Sequence, residues 1–375
     1  MIFLFLLLPF LYKCEPPILK QEFSSLSGLI HINFYVGNKS RFFLIELEKN
    51  FTHISDSNYE QYNSSMLKVI TKDTKVSVNH NPIEADIVSE RFQFLTEPFI
   101  LETHLTFYYT SSKRLVSSDS LGMAYQFDNE DYSLIHRLYK EKKIKEKVFG
   151  FEYKAQNKGY LYLGGIPKEI TEKKYKAYCP VSDESNDWNC KMKRITIGNN
   201  YYEFDGEGDI FFFETGQNRI SAPGRFINYM KRELFKPYFD KKECTRIDTS
   251  VGTITVRIEC KKYAIKTFPS FNFEINGFLF TLTKDDLFDC TDTICVLNIN
   301  QNIVWEEKWV FGNCFLSKYI TLFDYGNKQI IFFSDRVIKV EITVYIKGIS
   351  SINIILMMVF MLFNIYHIIK KHKIR

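Results

Sequence analysis

Two apolar runs that end on glutamate constrain this chain more than any other feature. One is Phe42-Phe43-Leu44-Ile45-Glu46-Leu47-Glu48-Lys49-Asn50; the other is Asp209-Ile-Phe-Phe-Phe-Glu214-Thr215-Gly216, continuing to Pro223. A buried strand that delivers an acid to its tip and then turns places a carboxylate on a tight loop, where it can face a cleft. One such loop falls in each half of the chain, which suggests two lobes whose loops meet at the middle.

The 375 residues suffice for two domains of ordinary size and a substantial core. Phe and Tyr are abundant, at 35 and 23 residues, and with frequent Ile and Val they favour strands. The segments LIHINFYV, RFFLIELE, MLKVIT, RFQFL and HLTFYY alternate as half-buried antiparallel strands do. A helix is expected over Tyr132 to Lys147, with its KEKKIKEK run as a solvated face, and another over Pro223 to Phe239. The net charge of +5 is scattered, which argues against a nucleic-acid partner. No Cys-x-x-Cys or His-rich tract appears, so neither a metal site nor a cofactor is expected.

Both ends of the chain carry apolar runs. Residues 1–14 read as a secretory signal; the charged leader is missing, which leaves an uncleaved anchor as the alternative. Residues 349–369 form an uncharged run long enough to span a bilayer as a helix, and the basic tail 370–375 belongs on the cytoplasmic side. These features imply a single-pass type I membrane protein of the secretory pathway or cell surface. Lys371 and Lys373 resemble an endoplasmic-reticulum retrieval signal, and ordinary stop-transfer charge explains them as well. Eight Cys fit an oxidising compartment, and Asn38, Asn50 and Asn63 head glycosylation acceptor triplets.

Several short motifs, in order, resemble the pepsin-like aspartic protease family. They are Val36-Gly37, Asp119-Ser-Leu-Gly-Met-Ala-Tyr125, Leu163-Gly-Gly-Ile166, Glu214-Thr-Gly-Gln-Asn218 with Arg219 to Pro223, and Trp309-Val-Phe-Gly-Asn-Cys-Phe-Leu316. The resemblance implies a mostly β, bilobal fold with a few short helices, here with a C-terminal transmembrane helix. Its lobes would span 27–168 and 169–336. It also implies a Cys260–Cys290 disulfide. A count without gaps from Val36-Gly37 puts Glu48 and Glu214 where the family has its two catalytic Asp. Thr215, Gly216 and Lys49 then fall beside them.

In that family two carboxylates share a proton and hold a water, one acting as base and the other hydrogen-bonding the peptide carbonyl. Here both would be Glu, Lys49 would replace a bracing Thr, and Asn50 a Gly. The flap over the cleft would fall near Val78 to Pro82, without its Tyr. The leading expectation is therefore an impaired site that binds peptide or protein without cutting it. The alternative is an endopeptidase working through a Glu48/Glu214 pair.

Overall fold

The computed structural model describes residues 16–335 except 17, 27–28, 38, 56–66, 79–80, 96–99, 111–118, 128, 155–157, 173, 183–184, 205–207, 250–254 and 302–307. The expected signal 1–14, the spanning run 349–369, the basic tail, Asn38 and Asn63 lie outside these residues. Among the described residues no helix is long and apolar enough to cross a membrane.

The described chain is mostly β. Leu29–Val36 shows why: every second side chain is buried, so one face of the pleat meets the core. It pairs antiparallel with Lys39–Glu46, which carries the first acid-tipped run. A thirteen-stranded sheet holds most of the first half, and it also takes in Tyr175–Pro180, Ile320–Asp324 and Gln329–Ser334 from the second. The bridge between the halves is the pairing of Ile320–Asp324 with Val148–Lys154. The second half builds a sheet around Asp209–Phe213 and Trp309–Phe311, plus a four-stranded sheet from Cys244–Thr249, Thr255–Lys261, Ile294–Leu297 and Phe288–Cys290.

Aromatic packing joins the halves. Phe149 stacks on Phe323 at 4.8 Å between ring centroids, and Trp188 meets Phe323 at 5.0 Å and Tyr325 at 4.9 Å. Trp188 is fully buried, and its indole N–H donates to Met123 O at 2.8 Å. That bond satisfies the ring's polar edge, so its whole area can be buried.

Some expectations change. The first helix covers only Leu134–Lys140; Lys142 follows at φ 57°, so the lysine-rich run leaves the helix instead of extending it. Helical structure after Pro223 runs from Gly224 to Asp240 but is interrupted by a π turn at Met230–Phe235. The segment around Gly122 is a short strand, Ser120–Gly122. Lys68–Val78 and Asn81–Leu95 form one long hairpin, whose tip is where the flap was expected.

The disulfide assignment is corrected. Cys260 bonds Cys244 and Cys290 bonds Cys295, while Cys179 bonds Cys190. Cys260 and Cys290 sit on strands separated by Ile294–Leu297. Two strand spacings, about 9.6 Å, exceed the reach of a disulfide. Cys314 is free and buried.

Trp188→Ala should cost about 3–5 kcal/mol, because it empties the aromatic junction and removes the shorter of the two hydrogen bonds that Met123 O accepts. Denaturant unfolding of the two proteins measures the difference; a loss below about 1 kcal/mol would contradict this account of the junction.

Candidate active site

The two acid-tipped strands end at matching places. Ile45 lies beside Leu121 in one parallel pairing, and Phe213 beside Phe311 in another. Gly122 and Gly312 follow these partners. A Cβ on Gly122 would overlap the carbonyls of Phe51 and Lys49; one on Gly312 would overlap those of Arg219 and Gln217. Both glycines are therefore required by the close approach of the loop backbone.

These matching contacts put the two loops in correspondence at a constant offset. Lys49 corresponds to Gln217 and Phe51 to Arg219, so Glu214 corresponds to Glu46, Thr215 to Leu47, and Gly216 to Glu48. The loops also touch through matching residues. The Leu47 N–H donates to Thr215 Oγ1 at 3.3 Å, and the Thr215 hydroxyl donates to Ile45 O at 2.5 Å. Thr215 is fully buried, and its own carbonyl accepts from Asn313 Nδ2 at 2.9 Å.

This pairing moves the first acid by two residues. Glu46, not Glu48, is the counterpart of Glu214, because the turn after Val36 and the strand that follows are shorter than the gap-free count assumes. Glu48 nevertheless reaches the same seam. Its Oε1 lies 2.7 Å from where a Cβ on Gly216 would be, and Glu46 Oε1 lies 3.8 Å from that point. Three carboxyls therefore converge where a symmetric pair would stand. The brace is one-sided, since Leu47 has no hydroxyl to return the bond that Thr215 provides.

Lys49 does not stand in for the brace. Its Nζ lies 2.6 Å from Glu46 Oε2, and both side chains are nearly enclosed, with exposures of 12% and 10%. In such surroundings an ion pair is screened little by solvent. Asn50, half-buried, follows directly.

Charge is crowded at the seam. Burial holds the Glu48 carboxyl well above the usual carboxylate range, reinforced by Glu46 and Glu214; its own backbone N–H and Lys49 oppose this. Burial, then the charges of Asp187 and Glu46, push Glu214 up to about 7, against the pull of the Gln217 amide. Gln217 Nε2 donates to Glu214 Oε2 at 2.8 Å, and Ser221 links Gln217 onward to Asn300. Asp187 is itself raised by burial.

Two further residues were not singled out as parts of the site. Asp187 adds a fourth carboxyl near Glu214. His53 is fully buried in the strand His53–Ser55. Its ring Nε2 lies 3.0 Å from Thr110 Oγ1, and burial followed by Lys49 lowers it to about 4, so it is neutral. His80 lies outside the described residues. Among the described residues no cluster of His, Cys, Asp or Glu could hold a metal ion.

The model of the eukaryotic aspartyl protease matches residues 106–334, more than half of the chain. The chain belongs to the eukaryotic aspartyl protease family. The matched part contains Glu214 but not the loop of Glu46 and Glu48. Among the curated relatives of the chain, plasmepsin VII of Plasmodium falciparum (isolate NF54) is 26% identical over 54% of the chain and 47% of its own length. Pepsin A of Gallus gallus is 26% identical over 46% of the chain and 42% of its own length. Plasmepsin I of Plasmodium falciparum (isolate 3D7) is 23% identical over 72% and 59%. The chain spans about half the length of the first curated relatives it matches.

Two predictions follow from the seam. Glu214 carries a folded value of about 7 against an ordinary 4.5. Its neutral form is favoured in the folded state, so the stability it contributes is full below about pH 4.5 and is lost as pH rises through about 7. The loss is on the order of 3 kcal/mol. Thermal melts of the protein should fall over that window, and Glu214→Gln should flatten the fall; an unchanged slope in the variant would refute it. Thr215→Val should cost about 1–3 kcal/mol in denaturant melts, because Ile45 O loses its buried donor and the Leu47 N–H its acceptor.

Proposed function

We propose that the protein is a membrane-anchored pepsin-like homologue that binds a peptide or protein segment in its cleft without cutting it. The observation that carries this reading is the Lys49–Glu46 ion pair with the Glu48 carboxyl packed beside it. Hydrolysis by two carboxylates needs a water held between them, one group accepting its proton while the other donates to the peptide carbonyl. Here a cation is bonded to the first acid, and a third carboxyl lies in the seam. Each Glu also sets its carboxyl one methylene further from the backbone than Asp would. A misplacement of about 1 Å costs on the order of a hundredfold in rate.

The hairpin of Lys68–Val78 and Asn81–Leu95 and the braced loops support this reading, because elements of this kind would enclose an extended chain. The membrane anchor rests on the uncharged run at 349–369 and its basic tail, and the apolar start of the chain supports entry to the secretory pathway.

A second reading has an observation of its own. Glu214 titrates near 7 while its counterpart Glu46 is ion-paired, and two carboxyls in different states are what acid–base hydrolysis near neutral pH requires. On that reading the protein is a divergent aspartic-type endopeptidase.

Incubating the detergent-solubilised chain with a diverse peptide library, from acidic to neutral pH, separates the two. The expected result is retention of a subset of peptides, all recovered uncut. Cleavage that disappears in Glu214→Ala would establish the second reading instead. Copying the second loop onto the first tests the cause of the impairment. Leu47→Thr, Glu48→Gly and Lys49→Gln, combined with Glu46→Asp and Glu214→Asp, should give measurable cleavage, whereas Glu48→Asp alone should give none. Strong cleavage by that single variant would overturn the account of the seam.

A further inference from the structure

Four cysteines lie in one row across the four-stranded sheet. Cys244 is the direct partner of Cys260, Cys260 of Cys295, and Cys295 of Cys290. Direct partners on neighbouring antiparallel strands project to the same face. The row is therefore continuous from Cys290 through Cys295 and Cys260 to Cys244. The two existing bridges, Cys290–Cys295 and Cys260–Cys244, occupy its two ends.

The row is open at one end only. Cys290 is exposed, whereas Cys295, Cys260 and Cys244 are all at most 3% exposed. Of the four residues, Cys290 is thus the one open to a thiol in solution.

The gap between the two bridges can also be closed. Each bridged pair has its Cα atoms 4.0 Å apart, the close kind of antiparallel pair. Close and wide pairs alternate across a residue, so Cys260 and Cys295 form a wide pair, with Cα atoms about 5.5 Å apart. That separation lies inside the range a disulfide spans.

We propose that Cys290 is a site of S-thiolation by a small thiol such as glutathione, and that its modification is relayed along the row to Cys244. In the first step the small thiolate attacks the Cys290 sulfur. A mixed disulfide forms there, the Cys290–Cys295 bond breaks, and Cys295 leaves as a thiolate. In the second step that thiolate attacks the Cys260 sulfur. The Cys260–Cys295 bond forms, the Cys260–Cys244 bond breaks, and Cys244 takes up the proton that the small thiol gave up. One thiol is consumed and one is produced, so no oxidant or reductant is required. The second step is intramolecular between neighbours held on one sheet, which gives it a high effective concentration. Its outcome is to exchange two bridges at the sheet's edges for one that ties the two central strands.

The test is to hold the folded full-length protein with excess glutathione, quench it with acid, alkylate the free thiols after denaturation, and map the peptides by mass spectrometry. Cys314 is a free thiol throughout and serves as the internal standard. The expected result is glutathione on Cys290, a Cys260–Cys295 crosslink and a new alkylation at Cys244. Alkylation at Cys295 with the Cys244–Cys260 bridge intact would overturn the relay, and absence of an adduct on Cys290 would overturn the site. The Cys244→Ser variant gives a second readout without any added thiol. Its Cys260 should displace Cys290 from Cys295, leaving Cys290 as the alkylated residue. Alkylation of Cys260 beside an intact Cys290–Cys295 bridge would refute the proposal.

Discussion

A single hydroxyl ties the two acid-bearing loops together. Thr215 Oγ1 accepts from the backbone of one residue of the opposite loop and donates to the carbonyl two residues earlier. Both bonds are fully buried, so leaving either partner unsatisfied would be expensive. The positions of Glu46 and Glu214 follow from this link, because each sits one residue before a contact point. The aromatic junction of Phe149, Trp188 and Phe323 then holds the strands behind the loops in register.

The seam is an electrostatic compromise. Glu46, Glu48, Glu214 and Asp187 bring four carboxyls close together, and Lys49 is bonded to one of them. A buried, crowded carboxyl lowers its free energy by keeping its proton. Three of these groups, Glu48, Glu214 and Asp187, accordingly sit above the ordinary range, and a site that would work in acid as a shared pair becomes one whose charge changes near neutrality. The substitutions that distinguish the first loop from the second, Leu47, Glu48 and Lys49, act together. They are consecutive residues at one seam, so their effects are not expected to add.

Much of this was legible in the sequence, and the misses have physical causes. Alternating burial announced the strands, and Glu214-Thr215-Gly216 announced the second loop, because the turn follows the acid directly. The first loop was placed two residues late because the count ran from Val36-Gly37 as though the intervening hairpin had a fixed length. The apolar runs themselves carry the correct register: four apolar residues precede Glu46, as four precede Glu214. The crossing of the loops behind Gly122 and Gly312 is a three-dimensional relation with no local signature. The disulfide pairing was also beyond the sequence, since it depends on which strands are neighbours. The lysine-rich run continued a helical pattern on paper, but Lys142 in the left-handed region ends it.

The shared sheet has a consequence for how this chain can be divided. Ile320–Asp324, near the end of the described residues, closes the exposed edge of Val148–Lys154. A fragment ending between the halves would leave Val148–Phe151 with an open edge, an invitation to self-association. The first half therefore borrows a strand from the second, and co-expression of both pieces supplies what truncation removes.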